Sequence, residues 1–185
     1  MRKSILIGLL VLSLAGLLVV GGTAAWFGST PESKTNQFTA GTVVIEVEES
    51  FTPPTAWQPG ETATKEVSVK SIGTKGVYVR VALTPVWSDS SLPIDNVQLT
   101  FDSSFSTYWV YSDGWYYYKS ILYQGEVTEL LLASVTLDPA TTGEEYQGET
   151  LDIVVSAEAV QASHNAYQTV WGLTSLPPGV QPWSP

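Results

Sequence analysis

The sequence predicts an all-β fold, a single antiparallel β-sandwich, on three observations. Apolar and polar residues alternate with a period of two along several short runs, the pattern of strands with one buried and one wet face. Turn-forming residues separate the runs: Pro53-Pro54, Gln58-Pro59-Gly60, Ile72-Gly73-Thr74-Lys75-Gly76, Asp138-Pro139 and Thr142-Gly143. Asp113-Gly114 sits between two aromatic runs, as a two-residue hairpin turn requires, because both central positions need positive φ. Many short strands joined by turns build a sandwich.

The first strand is carried by Val43, Ile45 and Val47 alternating with Val44, Glu46 and Glu48. In the next, Val67 and Val69 alternate with Glu66, Ser68 and Lys70. Val77, Val79, Val81 and Leu83 then alternate with Tyr78, Arg80 and Ala82. The hairpin comes after them, with Tyr111 predicted opposite Tyr116 and Trp109 opposite Tyr118 on one face, and Tyr108, Val110, Tyr117 and Lys119 on the other. Leu131, Ala133, Val135 and Leu137 form one face of a further run. Leu151, Ile153, Val155, Ala157 and Ala159 form one face of the last strand, opposite Asp152, Ser156 and Glu158. Beyond it, residues 164–171 suit a short helical turn in which Ala166, Val170 and Trp171 share a face.

The two ends differ from this pattern. Arg2 and Lys3 precede an uncharged apolar run from Ile5 to Val20, followed by Gly21-Gly22-Thr23-Ala24-Ala25. A basic start, an apolar middle and small residues at a cut site make up a secretory signal peptide, with cleavage expected between Ala25 and Trp26. The competing reading is a retained membrane anchor, since the run approaches the length of a bilayer span. Residues 26–38 read as an arm: Trp26 and Phe27 at its tip, a small polar middle with Pro31, and Phe38 near the body. Residues 39–172 then hold the sandwich. Residues 173–185 carry Pro177, Pro178, Pro182 and Pro185 and are expected to be extended and poorly ordered in isolation.

Charge and composition exclude several functions. The chain has eight basic and eighteen acidic residues. Loss of residues 1–25 removes Arg2 and Lys3 and no acidic residue, leaving a net charge of −12. Such a chain is not expected to seek nucleic acid or an anionic membrane surface. No cysteine is present, which rules out disulfides, thiolate catalysis and cysteine-ligated metal. His164 is the single histidine, so the His-Glu-x-x-His zinc motif cannot be built, and no Gly-x-Ser-x-Gly elbow supports a serine hydrolase. Glu46, Glu48, Glu49, Glu144, Glu145, Asp89 and Asp95 supply carboxylates, but a sequence does not show two of them facing across a cleft. Asp89-Ser90-Ser91 is only loosely like a calcium loop and lacks the glycine and terminal glutamate of an EF-hand. Glu158 at a strand end is expected to hydrogen-bond a neighbouring loop. We expect no enzyme and no cofactor. Trp109, Tyr111, Trp115, Tyr116 and Tyr118 are candidates for an aromatic face that stacks on sugar rings, against the simpler reading of core packing.

Several short motifs recur in a familiar order: Gly21-Gly22-Thr23-Ala24-Ala25-Trp26-Phe27, Asn36-Gln37-Phe38-Thr39-Ala40-Gly41-Thr42, Trp57-Gln58-Pro59-Gly60, Tyr78-Val79-Arg80, Ala157-Glu158-Ala159-Val160-Gln161-Ala162 and Trp171-Gly172. Together they resemble the TasA/camelysin family of exported proteins of Gram-positive bacteria, from the signal peptide to about Gly172. The resemblance implies processing by a dedicated signal peptidase of the SipW type and a jelly-roll-like sandwich. It also implies head-to-tail assembly into biofilm-matrix fibres, in which the mature N-terminus of one subunit adds as a strand to the next. Trp26, Phe27 and Phe38 are then the donor-strand candidates. Camelysin is described as a surface metalloprotease, an activity for which this sequence offers no ligand set. The expectation is a secreted structural subunit of the extracellular matrix or cell surface. Its main partner would be itself, with signal peptidase during export, other matrix proteins or polysaccharide as further partners, and no membrane contact after cleavage. The alternatives are a surface adhesin or sugar-binding module and, less well supported, a camelysin-like protease.

Overall fold

The computed structural model describes residues 42–51 and 57–184. The signal peptide, the Ala25–Trp26 cut site and the arm with Trp26, Phe27 and Phe38 lie outside the described residues. Eight strands are present among the described residues: β1 (Ile45–Phe51), β2 (Thr62–Ser71), β3 (Val77–Trp87), β4 (Val97–Phe101), β5 (Trp109–Ser112), β6 (Trp115–Tyr118), β7 (Leu132–Leu137) and β8 (Leu151–Gln161). One sheet has the order β1-β2-β7-β4 and the other β5-β6-β3-β8. Every pairing is antiparallel. Five of the seven connections cross from one sheet to the other. Two four-stranded antiparallel sheets linked in this way make the expected all-β sandwich, with the strand count of a jelly roll.

The main core lies between the sheets. Val47, Val67, Val69 and Val135 of the first sheet meet Val79, Val81, Trp109, Tyr118, Val155, Ala157 and Ala159 of the second. These are the alternate residues that the period-two pattern marks as inward. β7 departs from the pattern. Irregularities against both β2 and β4 shift its phase near Ala133, so Leu132, and not Ala133, shares the core face with Val135 and Leu137. A smaller cluster of Trp87, Leu137 and Tyr146 closes one end. There the Trp87 and Tyr146 rings are 5.0 Å apart and the Tyr146 hydroxyl donates to the Pro93 carbonyl at 3.0 Å.

The hairpin forms with the expected register. Tyr111 pairs with Tyr116 and Trp109 with Tyr118. Asp113 (φ 50°) and Gly114 (φ 83°) take the two left-handed positions. Strand β4 and the single helical turn α1 (Phe105–Tyr108) are additions to the expected elements, although Val97, Leu99 and Phe101 do alternate with Gln98 and Thr100.

The outer face of the second sheet is not wet, contrary to the one-face-buried expectation. It is covered by the chain beyond β8: a 3-10 turn (Ser163–Asn165), the short helix α2 (Ala166–Trp171) and the proline-rich tail. Tyr78 (2 % exposed), Tyr117, Val160 and Ala162 lie beneath Ala166, Tyr167, Trp171, Leu173, Leu176 and Val180. His164 and Asn165 are left-handed, which rotates the start of α2. Tyr167 and Trp171, one turn apart, therefore face the sheet, while Val170 is exposed. The tail is expected to be poorly ordered in isolation, and here it is anchored on the sandwich. Val180 is buried, and the Gln181 N–H donates to the Lys119 carbonyl at 2.7 Å. Proline lacks a backbone donor, so such a segment can lie on a sheet face with few main-chain partners while its aliphatic residues are covered.

Candidate functional site

A mostly shielded ion pair stacked between aromatic rings lies under this C-terminal cover. Arg80 on β3 stands directly opposite Glu158 on β8, because the two strands pair along their full length. Its Nε and Nη2 both donate to Glu158 Oε2, at 2.9 and 2.7 Å, and Nη1 donates to the Tyr117 hydroxyl at 3.3 Å. The guanidinium carbon lies 4.1 Å from the Trp115 ring centre and 4.6 Å from that of Trp171. Both partners of the ion pair are mostly shielded, with side chains 12 and 17 % exposed. Arginine suits such a place because its planar head forks onto a carboxylate while stacking on aromatic rings. Glu158 therefore bonds across the strand pair and not to a neighbouring loop. Three of the short motifs that mark the family resemblance, around Arg80, Glu158 and Trp171, meet here. Their meeting needs the β3–β8 register, which no single motif reveals.

The five candidate sugar-stacking aromatics do not share a face. Trp109 and Tyr118 point into the main core and are 1 and 7 % exposed. Tyr116 packs against Phe101 and Phe105. Trp115 lies on the opposite face, over Arg80. Of the five, only Tyr111, 57 % exposed, presents its ring to solvent. The reason is the sandwich itself, which turns one face of the hairpin toward the other sheet. Burial raises the pKa of the Tyr116 and Tyr118 hydroxyls above the ordinary value, with Tyr111 adding to the shift at Tyr116. A cleft of about 450 Å³ next to the hairpin is lined by Tyr118, Ser120, Ile121, Leu122, Tyr123, Glu126 and Val127. The one carboxylate lining it, Glu126, is held by the Tyr123 N–H at 2.8 Å.

The remaining candidates are dispersed. His164 is exposed, touches the Ser163 hydroxyl at 3.0 Å and stacks on Trp183. Asp89 accepts from both the N–H and the hydroxyl of Ser91, which hold its carboxyl below the usual range, so the calcium-like segment is a self-bonded turn. Glu48 pairs loosely with Lys70 at 3.8 Å, and Glu49 closely with Lys65 at 2.5 Å.

Among the described residues the sheets leave four edges: β1, β4, β5 and β8. Along β8 the bonding alternates. The Ala162 N–H donates to the Gly76 carbonyl at 2.8 Å, and the Ser88 N–H to the Thr150 carbonyl at 2.9 Å. Even-numbered residues of β8 therefore bond to β3. The N–H and C=O groups of Leu151, Ile153, Val155, Ala157, Ala159 and Gln161 face away from it. Among the described residues no strand pairs with that side.

A two-sheet all-β sandwich with a strapped outer face is the class these features define. Residues 1–101, more than half of the chain, match the family described as camelysin metallo-endopeptidase, and the chain belongs to that family. No curated protein matches it, and no solved structure does. The family description implies a metal, and the described residues do not fit one. Among the described residues no three His, Cys, Asp or Glu side chains are grouped to hold an ion. The single histidine stands at the surface beside a tryptophan ring. We derive no hydrolytic step through a metal.

Proposed function

We propose that this protein is an exported structural subunit that assembles into extracellular or biofilm-matrix fibres. Residues 26–38 of the mature chain would be donated as a strand to a neighbouring copy. Export follows from the signal-peptide pattern, and cleavage after Ala25 frees Trp26 and Phe27 as the tip of the arm. One observation carries the reading. Among the described residues each sheet ends in two strands that pair on one side only, the kind of edge to which a donated strand can add. Strand addition gives main-chain hydrogen bonds, and the apolar residues at the arm's ends add specificity. Trp26 and Phe27 would each contribute about 1.5–3 kcal/mol if buried. Head-to-tail donation is a heterologous contact that does not close on itself, and it therefore builds filaments.

The test is electron microscopy of the exported chain beside a version lacking residues 26–38. Filaments are expected from the first only. Equal polymerisation of the shortened chain would remove the arm from the mechanism.

A further inference from the structure

We infer that the outer edge of β8 is the acceptor, and that its occupant is the segment of residues 26–38 from a second copy of this chain. The inference rests on the fibre reading above and adds the place where the strand docks. The four edges are not equivalent. β4 has five residues and β5 four, too short to hold a long strand. β1 has seven residues, four fewer than β8; Glu49 and Glu48 are paired with Lys65 and Lys70 of β2, and the exposed Glu46 adds one more carboxylate to this short edge. β8 has eleven residues, no proline and no lysine. Of its two carboxylates, Glu158 is already held by Arg80, and Asp152 stands near its start. Alternate N–H and C=O groups from Leu151 to Gln161 have no strand partner among the described residues.

The proposed occupant matches this edge in length and chemistry. At about 3.3 Å per residue, thirteen residues cover the full length of an eleven-residue strand. The segment holds one acidic and one basic residue, Glu32 and Lys34, and so adds no net charge to an acidic body. Pro31 has odd parity. If Trp26 and Phe38, both even, turn their backbone groups toward β8, the missing donor at Pro31 faces outward, where an edge strand tolerates it.

Position favours a second copy over the chain's own segment. The Thr74 N–H donates to the Thr42 carbonyl at 3.0 Å, so the described chain begins at the β2–β3 turn. Gly76 in that turn accepts from Ala162, just beyond the end of β8. A segment folding back from Thr42 along its own β8 would run parallel to it. A segment from another molecule can pair antiparallel, as every strand in this sandwich does, and antiparallel pairs are slightly more stable.

The absence of cysteine makes a clean test. In the exported full chain, a cysteine is placed at each position from Ser29 to Thr35 in turn, together with one edge cysteine: Ser156→Cys on β8, Glu48→Cys on β1, Gln98→Cys on β4 or Tyr111→Cys on β5. After oxidation, at least one arm position combined with Ser156→Cys is expected to give a ladder of disulfide-linked multimers, and the other edges no more than dimers. A ladder from another edge overturns β8 as acceptor and leaves strand donation standing. Dimers from Ser156→Cys in a chain lacking residues 26–38 overturn it in favour of β8 pairing with β8. No ladder at any edge, with assembly still dependent on residues 26–38, also overturns it. No ladder, with assembly indifferent to those residues, takes down the fibre reading itself.

Discussion

Arg80 and Glu158 show how one residue pair ties the C-terminal cover to the sheet beneath it. The carboxylate accepts two guanidinium bonds, and the guanidinium in turn lies over a ring of the hairpin, Trp115, and a ring of α2, Trp171. Removing the carboxylate leaves a mostly buried cation without its partner, which costs far more than losing a surface pair. Glu158→Ala is therefore expected to lower stability by about 2 kcal/mol. Glu48→Ala, whose pair with Lys70 is long and solvated, should change it by less than about 0.5 kcal/mol. Urea midpoints of the two variants check this, and equal midpoints would show that the Arg80 cluster does not hold the cover. None of this is legible in the sequence beyond the presence of the residues. Arginine and glutamate 78 positions apart become neighbours only through the β3–β8 register.

At the scale of elements, strands are legible wherever one face packs and the other meets water or a partner of plain polarity. Alternation marks β1, β2, β3 and β8, and the Asp-Gly turn with its cross-strand aromatic pairs marks the hairpin. β7 is legible with its phase wrong, because a bulge adds a residue that no local pattern announces. The tail departs from expectation for a different reason. Proline content argues against helix and strand, but it does not say whether Leu173, Leu176 and Val180 have a surface to cover. That surface exists only once Tyr78, Tyr117 and Val160 are aligned on one sheet face. Ending the chain after Gly172 should uncover these residues. A loss of about 3 kcal/mol is expected from the apolar area exposed, together with new binding of a hydrophobic dye. An unchanged melting temperature without dye binding would mean that the tail only rests on the sheet.

The whole molecule can be tested through its buried tyrosines, because they sit in different parts of the sandwich. Tyr118 belongs to the core between the sheets, with Tyr116 packed against it, Tyr78 lies beneath the C-terminal cover, and Tyr146 closes the end near Trp87. Burial is the leading cause that raises each of these hydroxyls above the ordinary value of 10.0. At Tyr78 the Trp183 backbone pulls the other way without overcoming burial, and at Tyr146 the charges of Glu145 and Asp95 add to the rise. A folded pKa above the unfolded one means that the folded chain keeps its protons where the unfolded chain loses them. Stability is then fully present below the unfolded value and falls as pH rises through the folded values. The urea midpoint should stay level to about pH 9 and drop steeply above about pH 10. Because the four groups span all three apolar clusters, the share of the tyrosinate absorbance that comes from them, four of the nine tyrosines, should rise in one step with the loss of β-sheet dichroism. If Tyr78 ionises first, with the sheets intact, the C-terminal cover is a separate cooperative unit laid on a sandwich that stands without it.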